Sequence, residues 1–343
     1  MGSPATSAPA PMPPIVDVHN HYYPPAYLKA LESGQSRVEI SYDAAGNPRL
    51  HYPGDYNIAV PGQRDLAVRV AMMDEVGLDL QVYSMTTPGT HVETPAVAVK
   101  LAQLVNDAFA EGIAKYPGRF GALATLPLND PPASVRELER AVRQLGLPGA
   151  MLFSNIAGVA LADERFWPLY ELANDLGAVL HIHPTDPVGV EAMRDYWLMP
   201  LVGFLFDTTL AAAKLVFTGI PERFPRIKWV LGHLGGAIPY LAERLDRGYR
   251  AFPECRVNIS KPPSEYLRHF YFDTVNFDPQ ALMLAVQFAG AGHILAGSDY
   301  AHQIGSPKLM LESLRALAVP EADRARILGA NALEVYSLAD AAA

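Results

Sequence analysis

From residue 15 onward the chain alternates short, nearly uniform apolar runs with longer stretches whose apolar positions recur at helical spacing. The first run is the β-branched Ile15-Val16-Asp17-Val18, and similar runs follow at 78–83, 120–126, 150–153, 178–182, 228–231, 271–274 and 294–296. Runs this uniformly apolar fit strands covered on both faces, as in a parallel sheet. Between them, the spacing predicts helices over 66–76, 95–116, 132–145, 166–176, 201–218, 238–249 and 279–289, with more helix closing the chain around 331–336. Pro95 opens one of these and Pro117-Gly118 stops it, while Gly77 and Gly177 end two others. Eight strands, each followed by a helix, predict an α/β fold of the TIM type, a closed (β/α)8 barrel. An open doubly wound sheet would give the same alternation, but no Gly-x-Gly-x-x-Gly follows the first strand to support its dinucleotide-binding form. The polar, Pro-rich segment 22–64 is too long for a βα loop and predicts a long insertion after strand one, over the barrel mouth. Residues 1–14, rich in Pro, Ala and Ser, predict a disordered arm, and 15–343 reads as one domain without repeat or linker.

Composition narrows the class. Hydrophobic residues are 50% of the 343 and charged residues 18%, which excludes a disordered chain. The lone Cys255 excludes a disulfide scaffold. With a net charge of −9 and no basic run, nothing points to nucleic acid. The most apolar stretch, 198–220, is interrupted by Asp207 and Lys214, so no membrane span is expected either. What remains is a soluble, cytoplasmic globular protein.

Histidine placement supplies the chemistry. Of ten histidines, His51, His91, His269, His293 and His302 lie in polar or turn-like surroundings and read as surface residues. The others are not scattered. His19 and His21 follow strand one two residues apart, so a strand's alternation puts both imidazoles on one face. His183 ends strand five, His233 strand six, and Asp299 strand eight. In a (β/α)8 barrel these ends converge on one mouth. Neutral imidazoles with one carboxylate suit Zn²⁺ first and Mn²⁺ second.

This order of residues resembles the amidohydrolase superfamily. Longer segments resemble its metal-dependent decarboxylases related to aminocarboxymuconate-semialdehyde decarboxylase: Val16-Asp17-Val18-His19-Asn20-His21, Leu180-His181-Ile182-His183-Pro184, Leu231-Gly232-His233-Leu234-Gly235-Gly236, Tyr271-Phe272-Asp273-Thr274 and Gly297-Ser298-Asp299-Tyr300. The resemblance implies one metal ion per chain, held by His19, His21, His183 and Asp299. Strand four ends in Met151-Leu152-Phe153-Ser154-Asn155, without the Lys or Glu that holds a second metal in hydrolytic members. His233 is implied as an acid/base beside the metal, with a fifth ligand as the other reading. An imidazole's ordinary pKa of about 6.5 suits proton transfer at neutral pH. Asp299 is the other candidate to deliver a proton to carbon. His181, one layer deeper, reads as a packed or supporting residue.

For the substrate, Arg244 lies at the spacing where the semialdehyde decarboxylases use an arginine on a substrate carboxylate, across a subunit interface; a helix-surface arginine paired to Glu243 or Asp246 is the other reading. Pro200 stands where those enzymes carry a tryptophan, and the loop Tyr83-Ser84-Met85-Thr86-Thr87-Pro88 looks more like 6-methylsalicylate decarboxylases. Tyr22, Tyr23, Trp197, Phe204 and Tyr300 could sandwich a ring or simply pack the barrel. The expectation is a nonoxidative decarboxylase of a 2-hydroxybenzoate, working as a homodimer or larger homo-oligomer. A superfamily hydrolase of a lactone, ester or amide, a hydratase, and a non-catalytic metal-binding barrel are the alternatives.

Overall fold

A computed structural model describes residues 13–338 except 35, 53 and 54; the arm expected at 1–14 lies, up to residue 12, outside the described residues. Eight short strands carry the site. β1 (Val16–His21), β2 (Leu80–Ser84) and β3 (Phe120–Ala122) form one parallel sheet in the order β1-β2-β3. β4 (Gly149–Phe153), β5 (Val179–His183), β6 (Lys228–Leu231), β7 (Tyr271–Asp273) and β8 (Ile294–Leu295) form the other in the order β8-β7-β6-β5-β4, also parallel. The two sheets meet at both edges. A parallel bridge pairs Ala124 with Ala150, another pairs Asn20 with Tyr300, and Val18 N–H donates to Ala296 O at 2.9 Å. Strand β5 is buried along its whole length, His181 and His183 included, as a strand covered on both faces is.

Helix boundaries follow local chemistry. Asp65 precedes helix Leu66–Val76 and accepts from Ala67 N–H, and Gly77, at φ 76°, closes it in the left-handed conformation that glycine adopts without strain. Asp130 and Asp278 cap helices Pro131–Arg143 and Pro279–Ala289 in the same way. The helix expected at 201–218 begins earlier and less regularly: single turns at Val190–Met193 and Asp195–Trp197 lead through a π-turn at Met199–Gly203 into helix Phe204–Phe217. The stretch Asp195–Phe217 is long and apolar enough to cross a membrane, at mean hydropathy 1.5. Yet it buries Thr208, Ala211, Ala212, Leu215 and Val216 against the protein, as a core helix does.

Segment 22–64 is not a bare loop. After helix Pro25–Leu31 comes an antiparallel meander of Glu39–Tyr42, Pro48–Tyr52 and Asp55–Ile58, then a turn of helix at Pro61–Arg64. Its root is pinned by Arg69, fully buried, whose guanidinium donates to Gly62 O (3.1 Å), His21 O (2.6 Å), Gln81 Oε1 (3.2 Å) and Asn20 Oδ1. One side chain thus ties the end of the excursion to the strand that carries two of the candidate ligands.

Candidate metal centre

Strand alternation delivers the first pair: His19 and His21 emerge from the same face of β1, both buried. His183 joins them from the end of β5, and Asp299 from the turn after β8. One ligand atom from each of His19, His21, His183 and Asp299 falls within 4.8 Å of the others. His19 Nε2, His21 Nε2, His183 Nε2 and Asp299 Oδ1 are all buried with no hydrogen-bond partner. Four converging orphans of this kind are costly unless something satisfies them, and a divalent ion fits three imidazole nitrogens and a carboxylate.

The neighbours orient these ligands. His19 Nδ1 donates to Asp273 Oδ2 at 2.5 Å and His183 Nδ1 to Pro184 O at 2.8 Å, which turns each Nε2 toward the group. Asp299 Oδ1 lies 3.2 Å from His21 Nε2 and 3.5 Å from His19 Nε2. Asp299 adopts φ +56°, a sterically strained backbone for a non-glycine residue, and its N–H donates to His19 O at 2.7 Å. Burial lowers the His21 pKa to about 3 and holds His183 well below the ordinary imidazole value, so both are neutral and ready to ligate. Burial pulls His19 down too, but the Asp273 carboxylate outweighs it and raises His19 to about 9. Asp299, although buried, is kept well below the usual carboxylate range by His21 and His233.

Glycine makes the room. A Cβ on Gly297 would sit 2.9 Å from His19 Cβ and 3.0 Å from Asp273 Cβ. His233 closes the group from β6, with Nε2 3.8 Å from Asp299 Oδ2 and its ring 4.9 Å from that of His19. His233 and Leu234 take φ 53° and 57°, and the Leu234 N–H donates to Asp273 Oδ1 at 3.1 Å. Beneath, His181 Nε2 lies 3.7 Å from Asp273 Oδ2. His19, His181 and Asp273 could themselves hold an ion. That group shares His19, whose Nδ1 is already engaged by Asp273. After β4, Ser154 and Asn155 hydrogen-bond Asp207 and point no further ligand inward.

A cavity of about 370 Å³ opens over this floor, touching His183, His233 and Asp299. One wall is the meander (Tyr52, Tyr56, Asn57, Ile58), and the other is the irregular helix start (Tyr196, Trp197, Leu201, Phe204). Trp197 therefore stands where a ring-binding residue was expected, half exposed. Two other expectations lie elsewhere. Tyr22 is buried against the rings of Tyr83 and Phe109 and does not line the cavity, because the chain turns into the insertion there and carries the ring behind β2. Arg244 is exposed on helix Ile238–Ala251, outside the cavity of its own chain.

His302 and His91 depart from the surface reading. His302 lines the cavity, its ring 5.0 Å from that of His21 and its Nε2 3.4 Å from Thr86 Oγ1. His91 is buried against Phe153, ring to ring 4.6 Å. The signal for His302 was its position three residues beyond Asp299, on the turn that must surround the mouth. His91 carried none.

Comparison with known proteins adds a lineage. The family described as amidohydrolase matches residues 16–338. A 2-amino-3-carboxymuconate-6-semialdehyde decarboxylase of Dictyostelium discoideum is 32% identical over 331 residues, 94% of this chain and 91% of the relative. A 6-methylsalicylic acid decarboxylase of Penicillium expansum is 29% identical, across 94% of this chain and 95% of its own. Among solved structures, 5-carboxyvanillate decarboxylase from Sphingomonas paucimobilis superposes with a TM-score of 0.83 at 26% identity, covering 94% of this chain and 99% of the other.

Proposed function

Because this chain belongs to the amidohydrolase family, we propose that it is a metal-dependent, nonoxidative decarboxylase of a 2-hydroxybenzoate. The observation that carries this reading is the set of four unpartnered donor atoms on the floor of an aromatic-walled cavity, with a fifth histidine beside them. Relatives of nearly full length, named as decarboxylases, support it. The parallel bridges joining both edges of the two sheets support a closed (β/α)8 barrel with the 22–64 excursion as a lid over its mouth.

His19, His21, His183 and Asp299 would hold one Zn²⁺, with Mn²⁺ as second choice. When bound, the ion would neutralise the substrate's carboxylate and ortho oxygen and stabilise the charge left as CO₂ departs. The chain's own residues do the rest. Tyr52, Tyr56, Trp197 and Phe204 flank the ring and keep water from it. His233, whose Nε2 lies 3.8 Å from Asp299 Oδ2 on the cavity floor, would deliver a proton through Nε2 to the ring carbon that loses CO₂. Arg244, outside its own chain's cavity, would meet a substrate only in a neighbouring subunit, so the reading includes a homodimer. Sedimentation at about 37 kDa, the mass of one chain, would remove that element.

The test of the reaction is a panel of 2-hydroxybenzoates incubated with metal-loaded and chelator-stripped protein, following CO₂. Release of CO₂ that needs the metal is expected. Acid production from lactones or esters, with no CO₂ from any benzoate, would replace this reading by hydrolysis.

A further inference from the structure

Asp273 contacts both halves of this centre and is used by neither the ligand set nor the proton transfer. It is fully buried at the end of β7. Its two oxygens are divided between two tasks. Oδ2 accepts from His19 Nδ1 at 2.5 Å, which keeps a proton on Nδ1 and turns Nε2 toward the other ligands. Oδ1 accepts from the backbone N–H groups of Leu234 (3.1 Å) and Val275 (3.0 Å). Leu234 follows His233 in a backbone stretch where both residues have positive φ, a conformation that persists only when its surroundings impose it. The space is reserved: Gly297 would drive a Cβ into Asp273 and His19, and a Cβ on Gly232 would lie 3.3 Å from His19 Cε1.

We propose that Asp273 is a positioning residue that holds the metal ligand His19 with one oxygen and the His233–Leu234 turn with the other, so that metal and proton donor share one frame. The part concerning His233 rests on the decarboxylase reading; the part concerning His19 does not.

Two substitutions separate the two oxygens. In Asp273→Asn the amide oxygen stays on the Leu234 and Val275 N–H groups, which turns the NH₂ toward His19 Nδ1 and forces the His19 proton onto Nε2, the metal face. D273N is therefore expected to bind Zn²⁺ about 10- to 100-fold more weakly by chelator competition. The His233 ¹³Cε1 signal of its zinc-saturated, histidine-labelled form should stay near wild type, and saturating metal should restore most of kcat. Asp273→Ser removes both contacts. It should weaken metal binding similarly, move the His233 signal, and leave kcat at least tenfold low at saturating metal with KM changed less. Unchanged metal affinity in both variants overturns the proposal. So does a D273S enzyme whose His233 signal and metal-saturated kcat match wild type. If D273N does not fold, D273S carries the same readouts alone. Affinity and NMR need no substrate, so a wild-type enzyme inactive on every benzoate would count against the proposed reaction and leave these readouts able to decide on Asp273.

Discussion

The floor of the cavity and its walls are built on opposite principles. On the floor the functional side chains come from the strands or the turns just after them and are almost wholly buried, and two of the ligands have a neighbour that fixes their direction: Asp273 for His19, Pro184 O for His183. The walls come from segments outside the barrel strands, the antiparallel meander and the irregular 190–204 turns, and on the latter Tyr196, Trp197 and Leu201 are about half exposed or more. A barrel's strand ends can be rigid because the whole sheet supports them, whereas walls must open for a ring to enter. The floor should therefore govern chemistry and the walls affinity.

The largest effect that would test this division is at His183. His183→Ala should abolish metal retention and CO₂ release together, read by elemental analysis and turnover on one preparation. His233→Ala should keep the metal and lose about 10²–10⁴-fold in kcat, ~3–5 kcal/mol of barrier. A metal-free H233A protein would make His233 a ligand; an H233A enzyme with full metal and full rate would shift the proton donor to Asp299.

Next comes the pH dependence of the metal-free protein. His21, lowered to about 3, and His183, lowered as well, stay neutral in the fold while the unfolded chain takes up protons below about 6.5. Their contribution is intact above that pH and is lost as pH falls from 6.5 toward 3. His19, raised to about 9, works the other way: its contribution is complete below 6.5 and disappears as pH rises through 9. Urea unfolding of stripped protein should show a stability maximum near neutrality, with the steeper fall on the acid side. A flat profile would mean that the floor is not preorganised without its ion. The smallest effect belongs to the wall. Trp197→Ala should raise KM about tenfold, ~1.4 kcal/mol, with kcat nearly unchanged. A loss confined to kcat would show that the walls take part in the chemistry.

How far the sequence revealed each region follows the same line. The period-2 spacing of His19 and His21 and the apolar runs before His183, His233 and Asp299 announce a floor, because strand geometry is local and repetitive. Asp273 was visible only as a polar residue within Tyr-Phe-Asp-Thr, since its task depends on β1 and on the turn after β6, both remote in the chain. The meander was hidden for a different reason. Its strands do alternate polar and apolar residues, as in Pro48-Arg49-Leu50-His51-Tyr52, but each is only four or five residues long and they are set among polar turns such as Asp-Ala-Ala-Gly-Asn, so the alternation is too short to stand out from an ordinary loop. Tyr22 misled because the residue just past a ligand strand reads as mouth, while the chain there is already leaving it.

Gly297 has a consequence for how this protein can be altered. Two carbons close to the backbone, His19 Cβ and Asp273 Cβ, would lie within 3.0 Å of any side chain introduced there, and neither can rotate out of the way. A saturation library at this codon should therefore return almost only the parent. Codons 56, 58, 197 and 201 face open space and should yield many folded, metal-loaded clones. New acids are thus within reach of laboratory evolution along the rim, where the search is wide, and a new reaction at the base is closed to single steps.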